Sequence, residues 1–265
     1  KLEKMLAVYS LRELRFPLPF HKELEFTFYN TLLTSYRARK QMYAENTDVE
    51  IEIGNEKKVT HCILDGDASD STNAGFSLIG YSGCGKSSAI SILVKHYPQV
   101  IMHTHEDGSY FTQIVYLVVN CVPNSNFAAL YEGIGDAIDK ALNNIKPVYA
   151  KAISSTMKLG KKAERVREFL EKFGVGMIIF DEIQLIDFSH TRENTFDSLL
   201  ALSNRTKTAM AVVGTEDARD IMFQELRTSR RIGMMVNGNR YCNSKEYFRY
   251  LVQQLFHYQW FDEIV

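Results

Sequence analysis

The sequence predicts an α/β fold in which helices cover both faces of a parallel sheet. Three observations carry that reading. Gly80-Tyr81-Ser82-Gly83-Cys84-Gly85-Lys86-Ser87 is a complete G-x-x-x-x-G-K-S phosphate loop, entered from the apolar residues Phe76, Leu78 and Ile79. A second apolar run, Val175 to Phe180, ends in the paired carboxylates Asp181 and Glu182. Short apolar runs such as these alternate with segments of helical periodicity, the pattern of strands buried on both faces.

Composition agrees. The chain has 265 residues, of which 45% are hydrophobic, enough to bury a substantial core, and its formal net charge of −1 leaves any contact with nucleic acid to a local patch. Cys62, Cys84, Cys121 and Cys242 form no C-x-x-C pair, which argues against a disulfide framework or a zinc site and for a reducing cytoplasm. No apolar run is long enough to span a membrane and no signal-peptide pattern is present. A start at Lys1 instead of Met points to a piece of something longer.

In chain order, Leu2 to Leu14 reads as a helical stretch broken at Phe16-Pro17-Leu18-Pro19. Glu23 to Tyr43 carries Leu24, Phe28, Leu32 and Tyr36 at spacings of four, one buried stripe of an amphipathic helix. Val49 to Val59 alternates around Gly54-Asn55 as a hairpin, and Asp65 to Gly75 is a small, polar approach to the phosphate loop. Ser88 to Tyr97 is the helix after that loop, ended by Pro98. Gln113 to Asn120 reads as one buried strand, and Asn126 to Asn143 as a helix with Phe127, Leu130, Ile134, Ile138 and Leu142 on one side. A helix near Thr195 to Ser203, a strand over Thr208 to Val213, and Gly214-Thr215 follow the paired carboxylates.

The chemistry follows from residue type. Backbone N–H groups from Gly80 through Ser88, including those of Ser82, Gly83, Cys84 and Gly85, can cradle a polyphosphate. Lys86 can reach the β- and γ-phosphates, and the Ser87 hydroxyl together with Asp181 can hold Mg²⁺. Glu182 suits the general base that polarises an attacking water. Thr215 ends its strand as Asp181 does; it either presents a hydroxyl toward the γ-phosphate or caps the next helix. Arg227, Arg230 and Arg231 form a dense cluster after the last core strand, suited to phosphoryl charge in a neighbouring subunit or to a solvated helix end. Between Lys140 and Lys172, nine cations face only Glu164, Glu168 and Glu171. That stretch is either a solvated helical face or a grip on a phosphate backbone without base reading.

In this order, the phosphate loop, Ile178 to Gln184, Val212 to Thr215 and Leu226 to Arg231 resemble AAA+ ATPases, and among them the TnsC regulators of Tn7-like transposons, akin to TniB. The resemblance runs from about Leu78 to Gly233, more weakly through Lys245 to Phe261. It implies a P-loop AAA+ domain with a central parallel sheet flanked by helices: an N-terminal extension over 1–64, an ATPase core over 65–236, and over 237–265 the start of a helical lid that is otherwise incomplete or absent. It further implies an ATP- and Mg²⁺-dependent matchmaker in the bacterial cytoplasm that forms a ring or filament homo-oligomer on double-stranded DNA, without sequence specificity. Its other partners would be transposase subunits and a target selector of the TnsD or TniQ type. By position, Lys86 and Ser87 are Walker A, Asp181 and Glu182 Walker B, Thr215 sensor 1, and Arg227, Arg230 and Arg231 the trans-acting arginines. The DNA-facing segment corresponds to Lys146, Lys151, Lys158, Lys161 and Lys162. An origin-binding or helicase-loading AAA+ protein would share the same site, and a monomeric P-loop kinase for a small substrate would share the phosphate loop.

Overall fold

The computed structural model of the chain describes residues 17–45, 49–53, 56–60, 75–104, 108, 110–123, 126–153, 156–186, 195–218, 233–240 and 244–256. The expected helix over Leu2 to Leu14, the Gly54-Asn55 turn, Cys62 and Cys242, nearly all of the approach over Asp65 to Gly75, and the clustered arginines lie outside those residues.

Helix α1 spans Pro19–Glu45. It begins about a turn before the expected Glu23, because proline suits the first helical turn, where its absent N–H is not needed. Strands β1 (Val49–Ile53) and β2 (Glu56–Thr60) form the expected antiparallel hairpin. Strand β3 (Phe76–Ile79) feeds the phosphate loop and helix α2 (Lys86–Val94). Strands β4 (Val100–Thr104) and β5 (Tyr110–Ile114) pair antiparallel as a separate ribbon, and β6 (Tyr116–Asn120) follows after Val115. The single strand expected over Gln113 to Asn120 is therefore two. Beyond it come α3 (Phe127–Ala141), α4 (Tyr149–Ala152), α5 (Leu159–Lys172), β7 (Met177–Asp181), α6 (Thr195–Thr206), β8 (Ala209–Gly214), β9 (Met234–Asn237) and α7 (Lys245–Phe256).

The main sheet has the order β6-β7-β8-β3-β9, with every pairing parallel. Alternate side chains divide between two apolar layers, as the strand period of two requires. Ile178 and Phe180 of β7 join Val212 of β8 against α3 and α5, where Leu130, Ile134, Ile138, Val166 and Leu170 are buried. Met177, Ile179, Ala211 and Val213 face the other way, against Leu24, Phe28 and Leu32 of α1 and Ile90 and Leu93 of α2. Both faces are thus covered.

Two polar residues lock α1 onto the sheet. The Ser35 hydroxyl lies 2.8 Å from the Gly176 carbonyl and 2.6 Å from that of Lys207. The buried Arg39 guanidinium donates to the carbonyls of Val175 (2.5 Å) and Thr206 (3.2 Å) and to Oγ1 of Thr208 (3.2 Å). These bonds add to those the entrances of β7 and β8 make themselves, where Gly176 O also accepts Ala209 N–H at 2.9 Å and Val175 O also accepts the Thr208 hydroxyl at 3.0 Å. Among the described residues no helix is long and apolar enough to cross a membrane.

Candidate functional site

Parallel pairing brings several strand ends to one edge. Ile79 pairs with Gly214 and Asn237, and Asn120 with Asp181. The loops after β3, β7 and β8 therefore open into one space, the crevice beyond the carboxyl ends of the strands where open α/β sheets bind ligands. A cleft of about 260 Å³ lies there, lined by Ser82, Gly83, Gly85, Lys86, Ser87, Ser88, Glu182 and Thr215. Residues separated by more than a hundred positions in the chain share it.

The phosphate loop is built from backbone geometry. Gly83 and Gly85 have φ of 80° and 94°, values that L side chains rarely adopt, and Gly85 caps α2. The Lys86 ammonium is buried and donates to the carbonyls of Gly80 (2.9 Å) and Tyr81 (2.8 Å), tying the head of α2 to the start of the loop. Gly80 is required by crowding: a Cβ there would come within 2.8 Å of Cys84 Sγ and 3.2 Å of Gly238 Cα. The floor of the loop is the turn after β9. Gly238 N–H donates to Ile79 O at 2.8 Å, and Tyr81 N–H donates to Asn239 Oδ1 at 2.7 Å. Asn239 in turn donates to Glu216 Oε1 at 3.1 Å.

Asp181, buried at the end of β7, hydrogen-bonds with the Ser87 hydroxyl and accepts Glu182 N–H at 2.9 Å. Burial raises its carboxyl above the usual range, while bonds from Ser87 and the Glu182 amide and the Lys86 charge oppose the rise. The donor set of Ser87 and Asp181, placed in hydrogen-bonding contact beside a cleft of phosphate-loop amides, fits a hard divalent cation and a polyphosphate. Glu182 adopts φ 58° and ψ 42°, left-handed for a residue with a side chain, and the 3₁₀ turn Ile183–Leu185 follows. Gln184 donates to Glu182 Oε2 and accepts Thr215 N–H at 3.2 Å. The Thr215 hydroxyl is buried without a hydrogen-bond partner beside the cleft. Cys121 N–H donates to Asp181 O at 2.9 Å. Its thiol is pushed up to about 12 by burial and by the Asp181 and Glu182 charges, so it stays protonated and is no nucleophile.

The basic stretch is divided by its neighbours. Lys146, Lys151, Lys158 and Lys161 are exposed, and among the described residues none meets a carboxylate. Lys162 corrects the sequence expectation: it is 1% exposed and its ammonium is ion-paired with Glu132, so it cannot face a phosphate backbone. Arg165 pairs with Glu168 at 2.7 Å, and Arg167 with Glu164 at 2.5 Å and Glu171 at 2.8 Å. Asp139 shapes the approach to the free lysines. Its carboxylate accepts from the amides of Val148 (3.0 Å), Tyr149 (3.2 Å) and Ala150 (2.9 Å) and from Asn144 Nδ2 (2.7 Å), which folds residues 142–148 onto the start of α4. Gln184, Asn239 and Asp139 were not singled out from sequence; in Asp181-Glu182-Ile183-Gln184 the only available signal is the return of a polar residue two positions after the base.

A family model described as AAA domain matches residues 70–222. None of the curated proteins gives a match. Among solved structures, Cdc6p from Pyrobaculum aerophilum is similar at 16% identity and a TM-score of 0.45, covering 70% of this chain and 43% of that one. The Orc1 protein of Aeropyrum pernix in complex with DNA is similar at 15% identity and a TM-score of 0.44, covering 62% and 39%. This chain thus spans less than half the length of either.

Proposed function

The chain belongs to the AAA domain family, and from that premise we propose that it is a Mg²⁺-dependent ATPase that assembles on duplex DNA and regulates transposition of Tn7-like elements in the bacterial cytoplasm. The observation that carries the ATPase reading is the meeting of Lys86, Ser87, Glu182 and Thr215 around one cleft. The transposition reading rests on the resemblance of its motifs to TnsC regulators. Its work is assigned to a core over 65–236, with 1–64 as an N-terminal extension and 237–265 beginning a helical segment.

The residues divide the chemistry among them. Amides of Gly80 to Ser88 hold the phosphates and Lys86 supplies a positive charge to them. Mg²⁺, held by Ser87 and Asp181, supplies charge neutralisation across the phosphate oxygens when bound. Glu182 takes the proton of the attacking water, and the Thr215 hydroxyl donates toward the γ-phosphate end of the cleft. Arg227, Arg230 and Arg231 are proposed to complete the site of a neighbouring subunit, which makes assembly a readout of ATP occupancy. Lys146, Lys151, Lys158 and Lys161 are proposed to grip the DNA backbone. A target selector and transposase subunits would then read the assembled state.

Electron microscopy of the protein with duplex DNA, with Mg²⁺-ATP and without nucleotide, tests this reading alongside Lys86→Ala. Rings or filaments are expected only with ATP and an intact Lys86. Monomers under every condition would remove the assembly model, and failure of the assembled protein to stimulate a transposase of a Tn7-like element would remove the transposition role.

A further inference from the structure

Strands β7 and β8 are neighbours, and a single side chain crosses between the residues that follow them. The left-handed Glu182 and the 3₁₀ turn after it swing Gln184 back over the cleft edge, with Ile183 fully buried as the anchor. The orientation of the Gln184 amide is not free. Thr215 N–H can only donate, so the Gln184 oxygen faces it at 3.2 Å and the NH₂ group faces the Glu182 carboxylate. Gly214 makes this crossing possible, since a Cβ there would stand 3.0 Å from Gln184 Oε1 and 2.9 Å from Ile183 Cγ2. Glu182 and Thr215 both line the cleft, so the residue joining them governs how the two face it together.

We propose that Gln184 is the positioning residue for hydrolysis, fixing the Glu182 carboxylate and coupling it to the strand end that carries Thr215. This rests on the ATPase reading above. In that step a water oxygen bonds to the γ-phosphorus, the bond from phosphorus to the β,γ-bridging oxygen breaks, ADP leaves, and the water proton passes to Glu182. With Oε2 engaged by Gln184, Oε1 is the atom left to receive it. A base that swings loses the alignment on which such a transfer depends.

The test compares Gln184→Ala and Gln184→Glu with the parent chain, measuring ATP hydrolysis and, by titration of a fluorescent ATP analogue, nucleotide affinity. Gln184→Glu keeps the volume and the acceptor for Thr215 N–H but replaces the donor toward Glu182 by a second carboxylate, so it tests that donor with packing retained. Both variants are expected to lose about tenfold or more in kcat with affinity held within about twofold. In a Glu182→Gln background the Gln184→Ala change should add nothing further, since there is no base left to position. Hydrolysis within about twofold of the parent, affinity falling in step with rate, or an equal loss in the Glu182→Gln background would each overturn the proposal. A parent chain that binds ATP but does not hydrolyse it would remove the ATPase reading and this role together, whereas an active parent with an unaffected Gln184→Ala removes this role alone.

Discussion

Asn239 accepts the backbone N–H of Tyr81 at 2.7 Å, joining the turn after β9 to the first residue inside the phosphate loop. The same amide donates to Glu216 at 3.1 Å, and the adjacent Arg240 pairs with Glu23 of α1 at 3.2 Å. The loop that holds phosphate is therefore braced by three parts of the chain that do not touch phosphate.

Asn239→Ala should loosen that brace. The bond is exposed, so loss of the acceptor leaves Tyr81 N–H to water and costs about 1 kcal/mol. Nucleotide affinity, followed by fluorescence titration, is expected to fall several-fold while kcat at saturation changes little. An affinity equal to the parent's would show that the loop holds its shape without Asn239.

Asp181→Asn should raise thermal stability and abolish hydrolysis. Burial lifts the folded-state carboxyl above its ordinary value, so its ionised form opposes folding; the stability is full below the unfolded value and falls as pH rises through the folded one. The melting midpoint of the nucleotide-free variant should exceed the parent's at neutral pH, and the gap should close below the ordinary aspartate range. A variant less stable than the parent at pH 7 would mean that the bond with Ser87 outweighs desolvation.

Asp139 behaves in the opposite sense. Burial alone would raise its carboxyl, but bonds from the Ala150 amide, Asn144, and the Val148 and Tyr149 amides outweigh burial and hold it below the usual aspartate range. A depressed folded value contributes stability present above the unfolded value and lost as pH falls through the folded one. Asp139→Asn should thus melt lower than the parent at pH 7, with the difference shrinking below about pH 4. It should also speed tryptic cleavage after Lys151 at neutral pH. Unchanged cleavage would show that the segment is held by other contacts.

Arg39→Ala should destabilise the whole domain. The guanidinium serves two carbonyls and a hydroxyl at the entrances of β7 and β8, and losing these buried charge-assisted bonds costs at least about 2 kcal/mol. The midpoint of urea unfolding is the measurement, with an unchanged slope expected. A loss smaller than about 0.5 kcal/mol would mean that water replaces the side chain.

The parts of the site that were legible in sequence are those with local signatures. A phosphate loop needs its glycines and lysine at fixed spacing, and a buried strand that ends in two acids announces itself, so the meeting of Lys86, Ser87, Glu182 and Thr215 follows from parallel strands alone. Strand β9 was not legible: its apolar run, Met234 to Val236, is only three residues long, shorter than the runs that mark the buried strands, and of its four residues only Val236 is buried. The break at Val115 was hidden for a different reason. Hydrophobicity runs unbroken from Ile114 to Val119, yet β5 pairs antiparallel with β4 and β6 parallel with β7, and pairing direction leaves no trace in composition. Lys162 looked like one more surface cation because its partner Glu132 is 30 positions away on another helix.

The brace beneath the phosphate loop also fixes an order of events during synthesis. Tyr81 and Asn239 are 158 positions apart, and β3 has β9 as one of its two neighbours in the sheet. A chain emerging from the ribosome presents Gly80 to Ser87 early, but cannot seat that loop on its floor until the turn after β9 has also emerged. Contacts of such long range form late in folding because loop closure must come first. The phosphate loop is thus made well before the turn that seats it, which delays ATP capture until that turn has been translated.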